Sequence, residues 1–157
     1  MDRRELFTSI TKPFKEKIVR PPYFKNESKF LKSCITCSDK SCKTVCEENI
    51  IVIQKDGTPK IDFKLGGCIY CDECAKACDE KVLKLKHKKN INVKFSIDTI
   101  KCMSWNNTMC FSCKDPCLDN AINFNGMFQP MINNESCTAC GFCINVCPTD
   151  AIKFQII

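Results

Sequence analysis

Sixteen cysteines are arranged in four groups that recur along the chain at an almost constant period. The groups begin at Cys34, Cys68, Cys102 and Cys137 of the 157-residue sequence, so that successive starts are 34, 34 and 35 positions apart. The third and fourth cysteines of every group lie four positions apart. A fixed period of this length indicates a repeated supersecondary unit. A unit this small cannot bury enough apolar surface for stability, and such units usually depend on disulfides or bound metal.

Disulfides, zinc and iron–sulfur clusters are the three uses of cysteine that this pattern allows. The cysteine content suits a secreted disulfide scaffold, but the N-terminal sequence MDRRELFTSITKPFKEK lacks the apolar run of a signal peptide. No stretch approaches the roughly 20 apolar residues of a membrane span. We therefore expect a cytoplasmic protein with reduced thiols. Arg3 and Arg4 resemble part of a twin-arginine export motif, which leaves export as the alternative to an exposed basic tail.

The spacing inside the groups favours iron–sulfur clusters over zinc. Groups two and four read CIYCDECAKAC and CTACGFCINVC, the continuous C-x₂-C-x₂-C-x₃-C run of bacterial ferredoxins. Zinc sites usually combine two separated cysteine pairs, and these continuous runs do not have that form. Four Cys₄ zinc sites, which sixteen cysteines could form, are the alternative. Groups one and three, CITCSDKSCKTVC and CMSWNNTMCFSCKDPC, have longer spacers. These two groups could have greater solvent exposure, distinct potentials or a three-iron cluster.

In two-cluster ferredoxins the fourth cysteine of each run ligates the other cluster of the pair. Applied here, this exchange predicts four [4Fe–4S] clusters whose iron is bound by all sixteen cysteines. The predicted ligands are Cys34, Cys37, Cys42 and Cys78 for cluster 1, and Cys68, Cys71, Cys74 and Cys46 for cluster 2. They are Cys102, Cys110, Cys113 and Cys147 for cluster 3, and Cys137, Cys140, Cys143 and Cys117 for cluster 4.

Turn dipeptides indicate how the groups pair. Asp56-Gly57 and Asn125-Gly126 predict hairpins between groups one and two and between groups three and four. The lysine-rich stretch VLKLKHKKNINVKFSIDTI, between groups two and three, lacks such a turn and is interpreted as an inter-domain connection. We predict an α+β fold of two tandem bacterial two-[4Fe–4S] ferredoxin-like domains, with short helices and β-hairpins, at residues 34–90 and 91–157. A cysteine-free basic arm, residues 1–33, precedes them.

The sequence indicates an electron carrier and not an enzyme. No phosphate-binding glycine loop is present, and the single histidine, His87, lies in a lysine-rich stretch, so no catalytic residue is predicted. The formal net charge is +6. Each oxidised cluster with four thiolates carries a charge of −2, so four clusters bring the net charge of the loaded protein to about −2. A net charge of this sign does not indicate nucleic-acid binding. The basic arm is interpreted as a docking element for a protein partner, with a solvated tail as the alternative. The candidate docking residues are Arg3, Arg4, Arg20, Pro21, Pro22 and Tyr23.

Five further segments are distinctive, and they read DRRELFT, RPPYFKNESKFLKSC, CMSWNNTMC, MFQPMIN and CTACGFCINVCPTDAI. These segments resemble the NapF family of accessory ferredoxins, which are encoded with periplasmic nitrate reductase. The resemblance runs nearly end to end and implies a cytoplasmic four-cluster protein that interacts with the nitrate reductase catalytic subunit before its export. The implied roles are maturation of that subunit, including loading or reduction of its iron–sulfur centre, or electron supply. The alternative is a polyferredoxin electron-wire subunit of a membrane-associated oxidoreductase complex, with another redox protein as partner.

Overall fold

The fold consists of short elements joined by tight turns. The structure is a computed structural model that describes residues 18–157. Among these residues, the α-helices are α1 (Ser41–Thr44), α2 (Glu73–Lys76) and α3 (Phe142–Asn145), and further helical turns are a π turn at Phe30–Cys34 and 3₁₀ turns at Leu85–His87 and Ser104–Asn106. The strands are β1 (Ile51–Ile53), β2 (Pro59–Ile61), β3 (Val93–Ile97), β4 (Ile122–Asn125), β5 (Phe128–Ile132) and β6 (Ile152–Ile156). Within residues 18–157, no helix has the length and apolar character needed to cross a membrane.

In the described part of the chain, strands β1 to β6 form three antiparallel pairs. β1 pairs with β2 and β4 pairs with β5, each across a turn whose glycine has a positive φ, +80° at Gly57 and +65° at Gly126. The hairpins predicted from the Asp-Gly and Asn-Gly dipeptides are therefore confirmed. The third pair joins distant parts of the chain, because Phe95 of β3 lies opposite Phe154 of β6. Short helices with small antiparallel sheets confirm the predicted α+β class.

The fourfold repeat of the sequence is also a repeat of backbone conformation. The residue three positions after the last cysteine of each group has a left-handed conformation, with φ between +49° and +54°; these residues are Asn49, Lys81, Asn120 and Asp150. Each donates its N–H to the carbonyl of that cysteine over 2.9–3.3 Å. The turn directs the next residue into the interior, and all four of these residues are buried: Ile50, Val82, Ala121 and Ala151.

The segment from residue 18 to residue 30 is part of the packed body and not a free arm. Val19 and Tyr23 are buried, at 6% and 1% exposure, and their carbonyls accept hydrogen bonds of 2.8 Å from the N–H groups of Ile61 and Lys84. Phe30 is fully buried. Residues 18–24 and Phe30, which the predicted arm of residues 1–33 includes, therefore pack into the core around β1 and β2, whereas residues 25–29 are exposed. The remainder of the predicted arm, residues 1–17, lies outside the described residues.

The stretch interpreted as an inter-domain connection contains β3. Val93 and Phe95 of this strand are buried, and its pairing with β6 closes the second half of the chain, residues 91–157. From the first half, residues 18–90, Phe63 packs edge-on against Phe95 and Phe154, with ring centroids 5.5 and 5.4 Å apart. The two halves are thus joined through aromatic side chains as well as through the chain itself.

Four candidate iron–sulfur centres

Four cavities are each lined by four cysteines, three from one sequence group and one from the group paired with it. Site 1 contains Cys34, Cys37, Cys42 and Cys78, and site 2 contains Cys46, Cys68, Cys71 and Cys74. Site 3 contains Cys102, Cys110, Cys113 and Cys147, and site 4 contains Cys117, Cys137, Cys140 and Cys143. The structure therefore brings together the same cysteines that the sequence grouped, with the fourth one exchanged within each pair of groups.

The short helices explain why the third and fourth cysteines of a group line different cavities. α1, α2 and α3 each begin directly after a residue with positive φ: Lys40 at +47°, Asp72 at +69° and Gly141 at +91°. The third cysteine then lies in the first turn of the helix, and the fourth lies two residues beyond the helix end. Because the helix has ended before the fourth cysteine is reached, that side chain is directed to the neighbouring cavity and not to its own.

Burial and the charges of neighbouring cysteines raise the pKa of eight of these thiols, which are Cys34, Cys42, Cys68, Cys74, Cys113, Cys137, Cys140 and Cys143. Burial raises the pKa of Cys34 to about 11, with a further contribution from the charges of Cys78 and Cys37. Burial likewise raises the pKa of Cys74 to about 12, with the largest charge contributions from Cys68 and Cys71. Four thiolates in one such cavity require compensating positive charge, which bound iron supplies.

Backbone donors are aimed at the exchanged fourth cysteine. The N–H of Ala151 donates to Cys147 Sγ over 3.2 Å, and the N–H of Ala121 donates to Cys117 Sγ over 3.3 Å. The pKa of Cys147 is lowered, because donors on Thr149, Ala151 and the next residue outweigh the opposing effect of burial. These bonds favour a thiolate at the position that must reach across to the neighbouring cavity.

The geometry fits a cluster better than a single metal ion. Within residues 18–157, no three His, Cys, Asp or Glu side chains converge closely enough to hold one ion. Tetrahedral zinc places its four sulfurs about 2.3 Å from one point, whereas a cubane has its four ligands on four separate irons. In site 4, the cysteines stand around a cavity whose remaining wall includes Phe95, Ile122 and Ile132. Thiolates spread around an apolar cavity match the donor set of a [4Fe–4S] cluster.

Site 1 differs from the other three in size and polarity. Its cavity volume is about 70 Å³, against about 10–20 Å³ at the other sites. The longer spacer of group one places Ser38, Asp39 and Lys40 in its wall. Lys40 Nζ donates to the carbonyls of Cys34 and Gly57, the latter over 2.8 Å. The wall of site 1 therefore contains one cation, Lys40, and three carboxylates, Asp39, Asp79 and Glu80, and is charged where the other sites are mainly apolar.

The longer spacer of group three forms a compact loop beside site 3. Residues 104–106 make a 3₁₀ turn, and the Asn106 side chain donates to the carbonyls of Thr99, Ile100 and Cys102 over 2.8–3.1 Å. Met103 lines the cavity. The insertion is therefore held by local hydrogen bonds, and all four cysteines of the site still line one cavity.

The predicted docking residues from 20 to 23 are buried. Arg20 is 6% exposed, and its Nη1 donates to Thr58 Oγ1 over 2.9 Å and to the Pro59 carbonyl over 2.8 Å. Pro21, Pro22 and Tyr23 are among the most deeply buried side chains. The docking role predicted for these four residues does not hold, because they have almost no surface to present. Arg3 and Arg4 lie outside the described residues.

Comparisons with known proteins identify an iron–sulfur domain around the fourth cysteine group and relatives that match along most of the chain. Residues 130–153 match the 4Fe-4S binding domain. The chain is 35% identical over 143 residues to ferredoxin-type protein NapF of Escherichia coli K12, covering 88% of this chain and 85% of that protein. It is 34% identical over 141 residues to NapF of Haemophilus influenzae, covering 87% and 78%. It is also 24% identical over 163 residues to ferredoxin-type protein NapG of Escherichia coli K12, covering 88% and 70%.

Proposed function

Because the chain belongs to the ferredoxin-type NapF family, we propose that it carries four [4Fe–4S] clusters and acts in the cytoplasm on the catalytic subunit of periplasmic nitrate reductase before export of that subunit. Family membership and the 4Fe-4S domain make the chain an iron–sulfur electron carrier or accessory protein, not an enzyme. The observation that carries the number of clusters is the set of four cavities, each with four cysteines.

The arrangement of the cysteines supports carriage of electrons and not chemistry on a substrate. Each cavity contains as many thiolates as a cubane has irons, so no iron would have an open coordination position. All sixteen cysteines are assigned to a cavity and none remains for another role. In the proposed role, electrons from these clusters reduce the iron–sulfur centre of the catalytic subunit during its maturation, or supply the subunit directly.

Anaerobic purification tests the proposed cofactor content. We expect a brown protein with about 16 iron atoms and about 16 acid-labile sulfides per chain, since four cubanes contribute four of each. A colourless protein with about four zinc ions would refute the proposed clusters. About 15 iron atoms, with the electron paramagnetic resonance signal of an oxidised three-iron cluster, would identify a site at which one ligand is not engaged.

Co-purification tests the proposed partner. The tagged chain, isolated from cells that express periplasmic nitrate reductase, is expected to recover the unexported precursor of the catalytic subunit. Recovery of a stable membrane oxidoreductase complex in its place would contradict the accessory role and favour the electron-wire role. Because the loaded protein alone can be assayed for iron, a failure to find the partner remains distinct from a failure to bind clusters.

We also propose that residues 1–17, including Arg3 and Arg4, contribute to docking. Deletion of residues 1–17 removes no cysteine and none of the packed residues from Val19 onward, so the iron content should not change. Precursor binding should weaken, and the loss should be larger at low salt, where charge interactions are least screened. The Arg3→Gln/Arg4→Gln double variant is the matched test of charge alone. Unchanged binding by both proteins would make the segment a solvated tail.

A further inference from the structure

The two halves of the chain meet directly at cysteines that belong to different sites. The N–H of Cys68, in site 2, donates to the carbonyl of Cys140, in site 4, over 2.7 Å. Beside it, the Tyr70 hydroxyl donates to the carbonyl of Thr138 over 2.5 Å and accepts the N–H of Ile91 over 3.1 Å. Site 2 in the first half and site 4 in the second are therefore joined by one backbone hydrogen bond between two of their cysteines.

Close packing holds this junction in a single arrangement. A Cβ added at Gly67 would lie 2.5 Å from Cγ of Phe142, and one added at Gly141 would lie 2.1 Å from Cδ1 of Phe63. The relation is reciprocal, because a glycine of each half lies against an aromatic ring of the other half. Neither glycine can carry a side chain without displacing that ring, so the halves approach more closely here than any other residue type would allow.

The third and fourth cysteines of each group show which other sites are neighbours. In the first half, Cys42 lines site 1 and Cys46 lines site 2, although only three residues separate them. In the second half, Cys143 lines site 4 and Cys147 lines site 3 across the same short distance along the chain. Sites 1 and 2 are thus adjacent within the first half, and sites 3 and 4 within the second.

We propose that the Cys68–Cys140 junction connects the four sites into one linear series, in the order site 1, site 2, site 4, site 3. This inference rests on the proposed cluster content. Sites 2 and 4 are then internal, and sites 1 and 3 are the ends at which partners give and take electrons.

In such a series, a one-electron donor at one end would reduce the terminal cluster from 2+ to +. Each further transfer oxidises one cluster and reduces its neighbour by one electron, and the last electron leaves to a one-electron acceptor at the other end. No proton and no covalent bond changes place.

Two double variants separate this order from the alternatives. Cys37→Ala/Cys110→Ala removes a ligand from sites 1 and 3 and leaves sites 2 and 4 complete, whereas Cys71→Ala/Cys137→Ala does the reverse. Each protein is first shown to contain about 8 iron atoms per chain, since two cubanes contribute four each and a three-iron cluster at an altered site would raise that number. It is then reduced anaerobically and examined by electron paramagnetic resonance. The first should show a split and broadened signal from two interacting clusters, and the second should show two isolated signals. Isolated signals from the first variant, or interacting clusters in the second, would overturn the proposed order.

A glycine pair tests the junction itself without changing a ligand. Gly67→Ala and its neighbour Gly66→Ala are each introduced into the Cys37→Ala/Cys110→Ala protein. A Cβ at Gly66 meets Ile50 of the same half at 3.3 Å, so this variant is the matched control for packing that does not involve the second half. The signal splitting should decrease with Gly67→Ala and stay unchanged with Gly66→Ala. Equal splitting in both would overturn the role of the junction.

The iron content keeps this inference distinct from the proposed function. A wild-type chain that binds no iron would refute the cluster-bearing function itself. A chain with the expected iron but with the opposite pattern of interactions would refute the linear series alone.

Discussion

Replacement of Arg20 by methionine tests whether this residue stabilises the first half of the chain, residues 18–90, or binds a partner. Arg20 is 6% exposed and donates from Nη1 to Thr58 Oγ1 and to the Pro59 carbonyl. Its guanidinium carbon lies 4.8 Å from the centroid of the Phe30 ring. These contacts connect the start of the described chain to β2 and to the π turn that begins at Phe30 and contains Cys34.

The expected loss of stability follows from these contacts. A hydrogen bond to a charged group contributes about 1.5–3 kcal/mol, and a desolvated cation–π contact contributes about 0.5–2 kcal/mol. Methionine also removes the cost of burying the charge, and coupled contacts do not add fully, so we expect a net loss of about 3 kcal/mol. Thr58 retains its bonds to Asp56 and Gln54, whereas the Pro59 carbonyl loses its Arg20 donor.

Loss of the visible cluster absorbance in guanidinium, measured anaerobically, is the suitable assay because clusters make unfolding irreversible. If the contacts are broken in the transition state of unfolding, a loss of about 3 kcal/mol accelerates this decay by about 100-fold. The decay rate of Arg20→Lys, which retains the charge, should lie between the rates of the wild type and of Arg20→Met. Lys25→Met, a change at an exposed cation in the same segment, should match the wild type. A wild-type decay rate for Arg20→Met together with lost partner binding would refute the structural role and restore the docking role.

Three further predictions concern the ligands, the backbone and the thiols. Cys78→Ser should damage site 1 and Cys147→Ser should damage site 3, as seen in iron content and electron paramagnetic resonance; loss of sites 2 and 4 in their place would contradict ligand exchange. Lys81→Asn should slow cluster loss in guanidinium, with a gain of about 0.5–1 kcal/mol, because a left-handed residue other than glycine or asparagine costs about 1–2 kcal/mol; faster loss would contradict this. After iron is removed, the pKa values of Cys42 and Cys74 in the folded chain, about 11 and about 12, exceed their ordinary value of 9.0. The folded apoprotein then binds protons more tightly than the unfolded chain, so its residual structure by circular dichroism should persist below pH 9 and be lost as the pH rises towards 11–12; a signal that does not change with pH would contradict this.

The cysteines and the hairpins could be predicted from the sequence because their determinants are local. The run of cysteines in groups two and four specifies which side chains follow one tight loop, and the turns at Gly57 and Gly126 require a positive φ that glycine provides. The irregular group three is also held by local interactions, because its spacer forms a 3₁₀ turn in which the Asn106 side chain donates to nearby carbonyls. Local chemistry of this kind is readable without knowledge of the remaining chain.

The contacts between distant segments could not be predicted in the same way. Tyr70 gives no signal in the sequence that its hydroxyl reaches Thr138 in the other half. β3 lies in a lysine-rich stretch, where Lys94 and Ser96 are exposed and Val93 and Phe95 are buried. That alternation was the available signal for a strand, but the surrounding lysines favoured interpretation as a connection. Charge and proline content describe the surface chemistry of a segment, and they do not reveal which core it enters.

The position of β3 in the second half explains why a basic, proline-containing segment is buried at the start of the first half. In the second half, β3 pairs with the strand that follows the last cysteine, so that Ser96 lies opposite Lys153, six positions after Cys147. In the first half, the carbonyl of Tyr23 accepts the N–H of Lys84, which is also six positions after the last cysteine of its group. Residues 18–24 therefore occupy the place of β3. Pro21 and Pro22 have no N–H to donate, so residues 18–24 cannot form the regular backbone hydrogen bonds of a β-strand. This segment therefore corresponds to β3 in position but is not itself a strand. The repeat thus extends beyond the cysteines to an outer segment in each half, and the first half without residues 18–24 would expose the core that β1 and β2 share with them.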